Sequence, residues 1–127
     1  MRFPPAGALA LVAAVLTGGA GGDTLSGGGG DDTITGGAGN DTMNGNAGND
    51  SFVFNAGFGV DTIAQFGDAA GNQDILDVST AIFANFAAVQ AASHQVGVDV
   101  HIDNGVNSIV LTNFTLANLG ADDFRFH

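Results

Sequence analysis

GGAGGDTLS (Gly18–Ser26), GGGGDDTIT (Gly27–Thr35), GGAGNDTMN (Gly36–Asn44) and GNAGNDSFV (Gly45–Val53) follow one another without a gap, a register of nine residues held four times. The sixth place is always Asp: Asp23, Asp32, Asp41 and Asp50. The eighth is always large and apolar: Leu25, Ile34, Met43 and Phe52. Gly stands at the first and fourth places throughout. Repetition this strict and this short is the mark of a solenoid, in which each unit buries its apolar face only by stacking on its neighbours.

The residue types dictate the shape of one unit. Places seven to nine, such as Thr24-Leu25-Ser26, alternate polar, apolar, polar, which makes a short strand with one inward side chain. The Gly-rich half is a turn, because several positions there need φ > 0 or a backbone too crowded for a Cβ. Asn46 stands for Gly at the second place of the fourth block, and Asn tolerates the left-handed region better than most residues. Two units complete a coil, and successive coils stack as parallel strands about 4.8 Å apart. Leu25 then lies over Met43 in one sheet and Ile34 over Phe52 in the other. The turns align as well, with Asp23 over Asp41 on one edge and Asp32 over Asp50 on the opposite edge. Carboxylates this close repel unless a cation lies between them. Flexible sets of carboxylate and carbonyl oxygens suit calcium, whereas magnesium demands near-ideal octahedral geometry.

These blocks resemble the GGxGxDxUx nonapeptide of repeats-in-toxin (RTX) proteins, a calcium-binding β-helix repeat. The resemblance implies Ca2+ as cofactor, each ion held between same-side turns by place-six Asp side chains and by turn carbonyls. Carried over, the metal residues are Asp23 with Asp41 and Asp32 with Asp50. Gly18, Ala20, Gly27, Gly29, Gly36, Ala38, Gly45 and Ala47 contribute at the first and third places. Ala56 to Ile63 keeps the Gly57, Gly59, Asp61 and Ile63 places after two extra residues. Two readings of it stand open: Asp61 completes a further site with Asp41, or the segment is a capping turn that binds nothing. Upstream, Val15-Leu16-Thr17 reads as a first strand, with Ala14 where an Asp would bind.

The fold class expected is mainly all-β, a short parallel β-roll solenoid followed by a C-terminal β-rich cap with one short helix. Three regions follow: an apolar N-terminal cap strand or signal-like segment over 1–17, the calcium-binding roll over 18–64, and a capping and secretion-signal region over 65–127. In the last of these, Gly71-Asn72-Gln73-Asp74 reads as a turn and Ile75-Leu76-Asp77-Val78 as a strand. Ser79 or Thr80 caps a helix that puts Ile82, Phe83, Phe86 and Val89 on one face. Val96, Val98, Val100 and Ile102 alternate as one half-buried strand, Asp103-Asn104-Gly105 makes a hairpin, and Ser108 to Phe114 returns. Thr115 to Leu119 forms a helical turn before a last strand at Phe124-Arg125-Phe126. The order FGVDTI (58–63), DILDVS (74–79), helix, hairpin, DDFRF (122–126) is similar to C-terminal regions of proteins exported by type I secretion. That resemblance implies an uncleaved C-terminal export signal, the type I secretion machinery as partner and an extracellular location. Met1-Arg2 with the apolar run Ala6 to Leu16 looks like a short secretory signal, or like a hydrophobic cap or the start of a fragment. Its eleven residues are too few to span a bilayer.

Composition agrees. All 13 acidic residues are Asp, against two Arg and no Lys, for a net charge of -11. Such a chain repels nucleic acid and anionic membranes and attracts cations. Without Cys, disulfides, thiolate metal sites and thiol catalysis are excluded. His94, His101 and His127 show no zinc spacing, and no nucleophile elbow is present, so the chain reads as no enzyme. The function expected is calcium binding by a roll that folds on extracellular calcium, as the secretion and folding module of an exported protein. Two alternatives remain. The outward Thr24, Thr33, Thr42 and Ser51 form hydroxyl rows that suit an adhesin-like, ice-binding or surface-binding module. The chain could equally be an inert part of a secreted hydrolase, its parent protein.

Overall fold

The computed structural model describes residues 13–69 and 72–127. The signal-like residues 1–12, Ala70, and Gly71 at the start of the expected turn lie outside the described residues. The strands are β1 (Val15–Thr17), β2 (Thr24–Ser26), β3 (Thr33–Thr35), β4 (Thr42–Asn44), β5 (Ser51–Phe54), β6 (Val60–Ala64), β7 (Asp68–Ala69), β8 (Asn72–Gln73), β9 (Ile75–Val78), β10 (Ser93–Val96), β11 (Asp99–Asn104), β12 (Asn107–Leu111) and β13 (Phe124–Phe126). One α-helix, α1 (Phe86–Ala92), precedes β10.

The nine-residue unit deals its strands alternately to two sheets. The first runs β1-β3-β5-β9-β13, and the second runs β10-β11-β12-β6-β4-β2. Leu25 pairs with Met43 and Ile34 with Phe52, both in parallel register, as one inward residue per unit requires. The fold is therefore the parallel β-roll expected, and the Val15–Thr17 rung is present, with Leu16 opposite Ile34. The two sheets do not stop at residue 64. Strand β9 pairs parallel with β5, placing Leu76 against Phe52, and β13 adds Phe124 against Leu76. On the other side β12 adds parallel to β6, with Leu111 against Ile63, before the antiparallel hairpin β11–β10 closes the sheet. Ile34, Met43, Phe52, Ile63, Leu76, Ile109 and Leu111 are buried between the sheets, so roll and cap share one core.

Several local expectations are corrected. The helix begins at Phe86, because Asn85, and not Ser79 or Thr80, caps it: the Asn85 Oδ1 accepts from the Ala88 N–H at 3.0 Å. Ser79 closes a separate turn, its carbonyl accepting from the Ile82 N–H. The run Val96 to Ile102 is a hairpin instead of one strand, since Gly97 at φ +61° lets the chain reverse and sets Val96 opposite Asp99. Val98, at the tip, is consequently 68% exposed. The returning strand ends at Leu111, where Asn113 at φ +52° turns the backbone away. The hydroxyl row of the first sheet is Thr33 and Ser51, bounded by Val15 and Ile75, and that of the second is Thr24, Thr42 and Thr62.

The C-terminal strand is latched from outside by one carboxylate. Asp77 accepts from the Arg125 Nε at 3.2 Å and contacts the His127 Nδ1 at 2.7 Å, while Arg125 Nη2 donates to the Ser51 Oγ. Asp77→Ala is expected to cost about 1 kcal/mol, the scale of an exposed ion pair, read as a fall of a few degrees in Tm with calcium present.

Candidate metal centre

Stacking of the turns puts the place-six Asp side chains in two files, one along each edge of the roll. The Asp41 Oδ1 accepts from the Asp23 N–H, and the Asp61 Oδ1 from the Asp41 N–H, both at 2.9 Å. On the opposite edge the Asp32 Oδ1 accepts from the Ala14 N–H, the Asp50 Oδ1 from the Asp32 N–H, and the Asp74 Oδ1 from the Asp50 N–H. Asp32, Asp41, Asp50, Asp61 and Asp74 are all buried, and Asp23 is half-buried at the outer coil.

In Asp32, Asp41 and Asp50 one carboxylate oxygen is thus used, and the other is not. The Oδ2 atoms of Asp23, Asp32, Asp41 and Asp50 are buried without a hydrogen-bond partner. A buried carboxylate oxygen left bare is among the costliest features a fold can carry. Each of them lies against the place-one glycine of its own unit. A Cβ on Gly18, Gly27, Gly36 or Gly45 would fall 2.5, 2.3, 2.4 or 2.1 Å from that oxygen. At Gly18 the same space is also reached by the Gly36 carbonyl, 2.7 Å from the hypothetical Cβ. At each of these four places only glycine fits against the carboxylate. Among the described residues no three acidic or imidazole side chains come together, so a cation here must take the balance of its ligands from the backbone. That donor chemistry, all oxygen and partly carbonyl, fits calcium.

Electrostatics points the same way. Burial, with added repulsion from Asp74 and Asp32, pushes the Asp50 carboxyl up to about 7. Burial and the neighbouring Asp41 push Asp61 up to about 7 as well, and burial raises Asp74. Without a counter-ion, these carboxylates resist ionising.

Of the residues expected at the site, the structure brings Asp23, Asp32, Asp41, Asp50 and Asp61 into the two files and Gly18, Gly27, Gly36 and Gly45 against their carboxylates. The place-three residues Ala20, Ala38 and Ala47 lie on the exposed crests of the turns, and Gly29 is half-buried. Two features escape a reading of the sequence. Asp74 belongs to the file although the period is broken before it; the local match of Gln73-Asp74-Ile75-Leu76 to Asn49-Asp50-Ser51-Phe52 is the signal that could have found it. The fifth place also stacks: Asp31, Asn40 and Asn49 accept from the backbone N–H of Asn49, Val60 and Gln73. These side chains tie coil to coil without metal. The histidines lie elsewhere, His94 beside Asp103 at 3.4 Å and His127 between Asp77 and Asn55.

The family model of the RTX calcium-binding nonapeptide repeat, in four copies, matches residues 17–52. This segment is an RTX repeat array. The match ends at the Phe52 rung, so Asp61 and Asp74 lie beyond it. Among solved structures, the chain is similar to the extracellular lipase LipA of Serratia marcescens, with 25% identity and a TM-score of 0.59. The likeness covers 87% of this chain, which spans 20% of the lipase. At that coverage it reaches well past the RTX array. No curated protein matches the sequence.

Proposed function

We propose that this chain is a calcium-driven folding module of an exported protein, its RTX array binding Ca2+ through Asp23, Asp32, Asp41, Asp50 and Asp61 and through backbone carbonyls of the Gly-rich turns. The observation that carries the reading is the set of four buried Oδ2 atoms without partners, each packed against a glycine where any Cβ would collide with it. Asp61 enters as a ligand because its Oδ1 continues the file from Asp41, and that stacking supports the first of its two readings over the capping turn.

Each turn must place glycines at positive φ, as at Gly19, Gly21, Gly28 and Gly30, and ordering glycine costs more than ordering other residues. The acidic files add repulsion to that cost. Calcium offsets both, and extracellular calcium modules bind with Kd of about 10⁻⁴–10⁻³ M, so the roll folds outside a cell and stays unfolded at cytosolic calcium. An unfolded chain inside and a folded one outside suits passage through the type I secretion machinery. The chain spans 20% of the lipase, which supports reading it as a module of a larger parent whose chemistry resides elsewhere.

Far-UV circular dichroism with calcium titrated to about 10 mM, and magnesium in parallel, tests the proposal. The expected result is a coil-to-β transition with calcium alone, absent in the double variant Asp32→Ala/Asp41→Ala. A chain equally folded with and without calcium would make the array a passive spacer.

A further inference from the structure

The acidic file beside the first sheet does not simply run out; it is closed. Successive acids in it are 18 residues apart from Asp32 to Asp50, but 24 apart from Asp50 to Asp74. The extra residues form a small arm. Gln65, at φ +57°, turns the chain after β6, and Phe66 is buried with its ring 6.2 Å from Phe52 and 5.6 Å from Phe114. This anchor fixes the next residue, Gly67, beside Asp74. The two are joined twice: the Asp74 N–H donates to the Gly67 carbonyl and the Gly67 N–H donates to the Asp74 Oδ2, each at 2.8 Å. Beyond this pinch the chain pairs with itself through Asp68–Gln73 and Ala69–Asn72.

Asp74 is as buried as its predecessors, at 1% exposure, and, as in Asp50, its Oδ1 accepts from the N–H of the acid before it. It differs at one atom. Where the Oδ2 of Asp23, Asp32, Asp41 and Asp50 is bare, that of Asp74 receives a backbone N–H. An amide aimed at a carboxylate supplies the positive end of a dipole, which satisfies the charge and repels a cation from the same spot. Gln73 seals the position further, donating its backbone N–H to Asn49 and its side-chain amide to the Asp123 Oδ1.

Resting on the calcium reading above, we infer that Asp74 is a metal-free terminator: the Gly67 N–H stands in for the cation, and the ion file of this edge ends at Asp50. The last coil of the first sheet is then closed by hydrogen bonds alone, with both oxygens of its acid satisfied. The opposite edge ends differently, with Ile109 stacked in register on Asp61 and no acid to follow.

Equilibrium dialysis at saturating calcium tests this by counting bound ions in the wild type, Asp50→Asn and Asp74→Asn. The expected result is a lower count for Asp50→Asn and the wild-type count for Asp74→Asn, whose loss of one N–H acceptor shows only as a lower Tm. An ion lost in Asp74→Asn overturns the inference. Should that variant not fold, hydrogen exchange in the calcium-loaded wild type decides. A Gly67 amide protected from exchange supports the terminator, and a freely exchanging one overturns it. A wild-type chain that binds no calcium would defeat the calcium reading while leaving the Gly67 amide protected, so the two failures are separable.

Discussion

Gly45→Ala is expected to remove one calcium ion and to raise the calcium concentration at the folding midpoint more than tenfold, a factor equivalent to about 1.4 kcal/mol. The added Cβ would fall 2.1 Å from the Asp50 Oδ2 and 2.4 Å from its Cγ. No real Cβ sits so close, so either the turn moves or the carboxylate leaves the file, and in both cases a ligand oxygen is lost. Gly57→Ala is the matched control. Its φ is +78°, so an alanine there is strained by about 1–2 kcal/mol, but a Cβ meets nothing within 4 Å. The control should lower Tm and leave the ion count unchanged. Dialysis and circular dichroism on the two variants separate loss of a ligand from loss of stability. Equal ion counts in both would mean that the place-one glycine is there for the turn and not for the ion.

Acidification should stabilise the calcium-free roll and weaken the calcium-bound one. Asp50 and Asp61, buried beside other acids, have carboxyls raised from 3.8 to about 7. The native state therefore holds these protons more tightly than the unfolded chain does. Their contribution to stability is fully present below the unfolded value and is lost as pH rises through about 7. Each raised carboxyl therefore adds to the pH dependence of the calcium-free roll in the same direction. Calcium must displace the same protons, so its apparent affinity falls as pH drops below about 7, with proton release on binding. Thermal unfolding in chelator from pH 8 to pH 4, compared with calcium titrations over the same range, reads both signs. A calcium-free chain with no gain in structure on acidification would show that metal is not what these carboxylates lack.

Much of this was legible in the residues. The ninefold register of Asp and Gly predicts two sheets, one inward side chain per unit and two acidic edges, and the pairings Leu25–Met43 and Ile34–Phe52 follow from it. Local signals held where a single residue type decides, as at the turn after Asn104. They misled where neighbours decide. Val96 and Val98 alternate as a strand does, yet Gly97 turns the chain between them. Ser79 is a good cap by composition, yet the helix starts where Val89 can enter the core, and Asn85 is the cap available there.

What the sequence by itself determined is the repeating unit: a strand whose apolar residue points inward, a turn only glycine can make, and an acid at the same place each time. These depend on backbone sterics and side-chain alternation within nine residues, so they can be read without knowing what lies next to them. What only the tertiary structure decided is where the roll ends. Asp61 and Asp74 join the files across spacings of 20 and 24 residues, and strands β9, β12 and β13 extend the two sheets after the period is gone. Strand stacking is set by hydrogen bonds and core contact between distant segments, and insertions in the turns do not disturb it. Whether a given Asp faces a cation or a backbone N–H likewise depends on Gly67, a residue placed by the packing of Phe66 and not by any repeat.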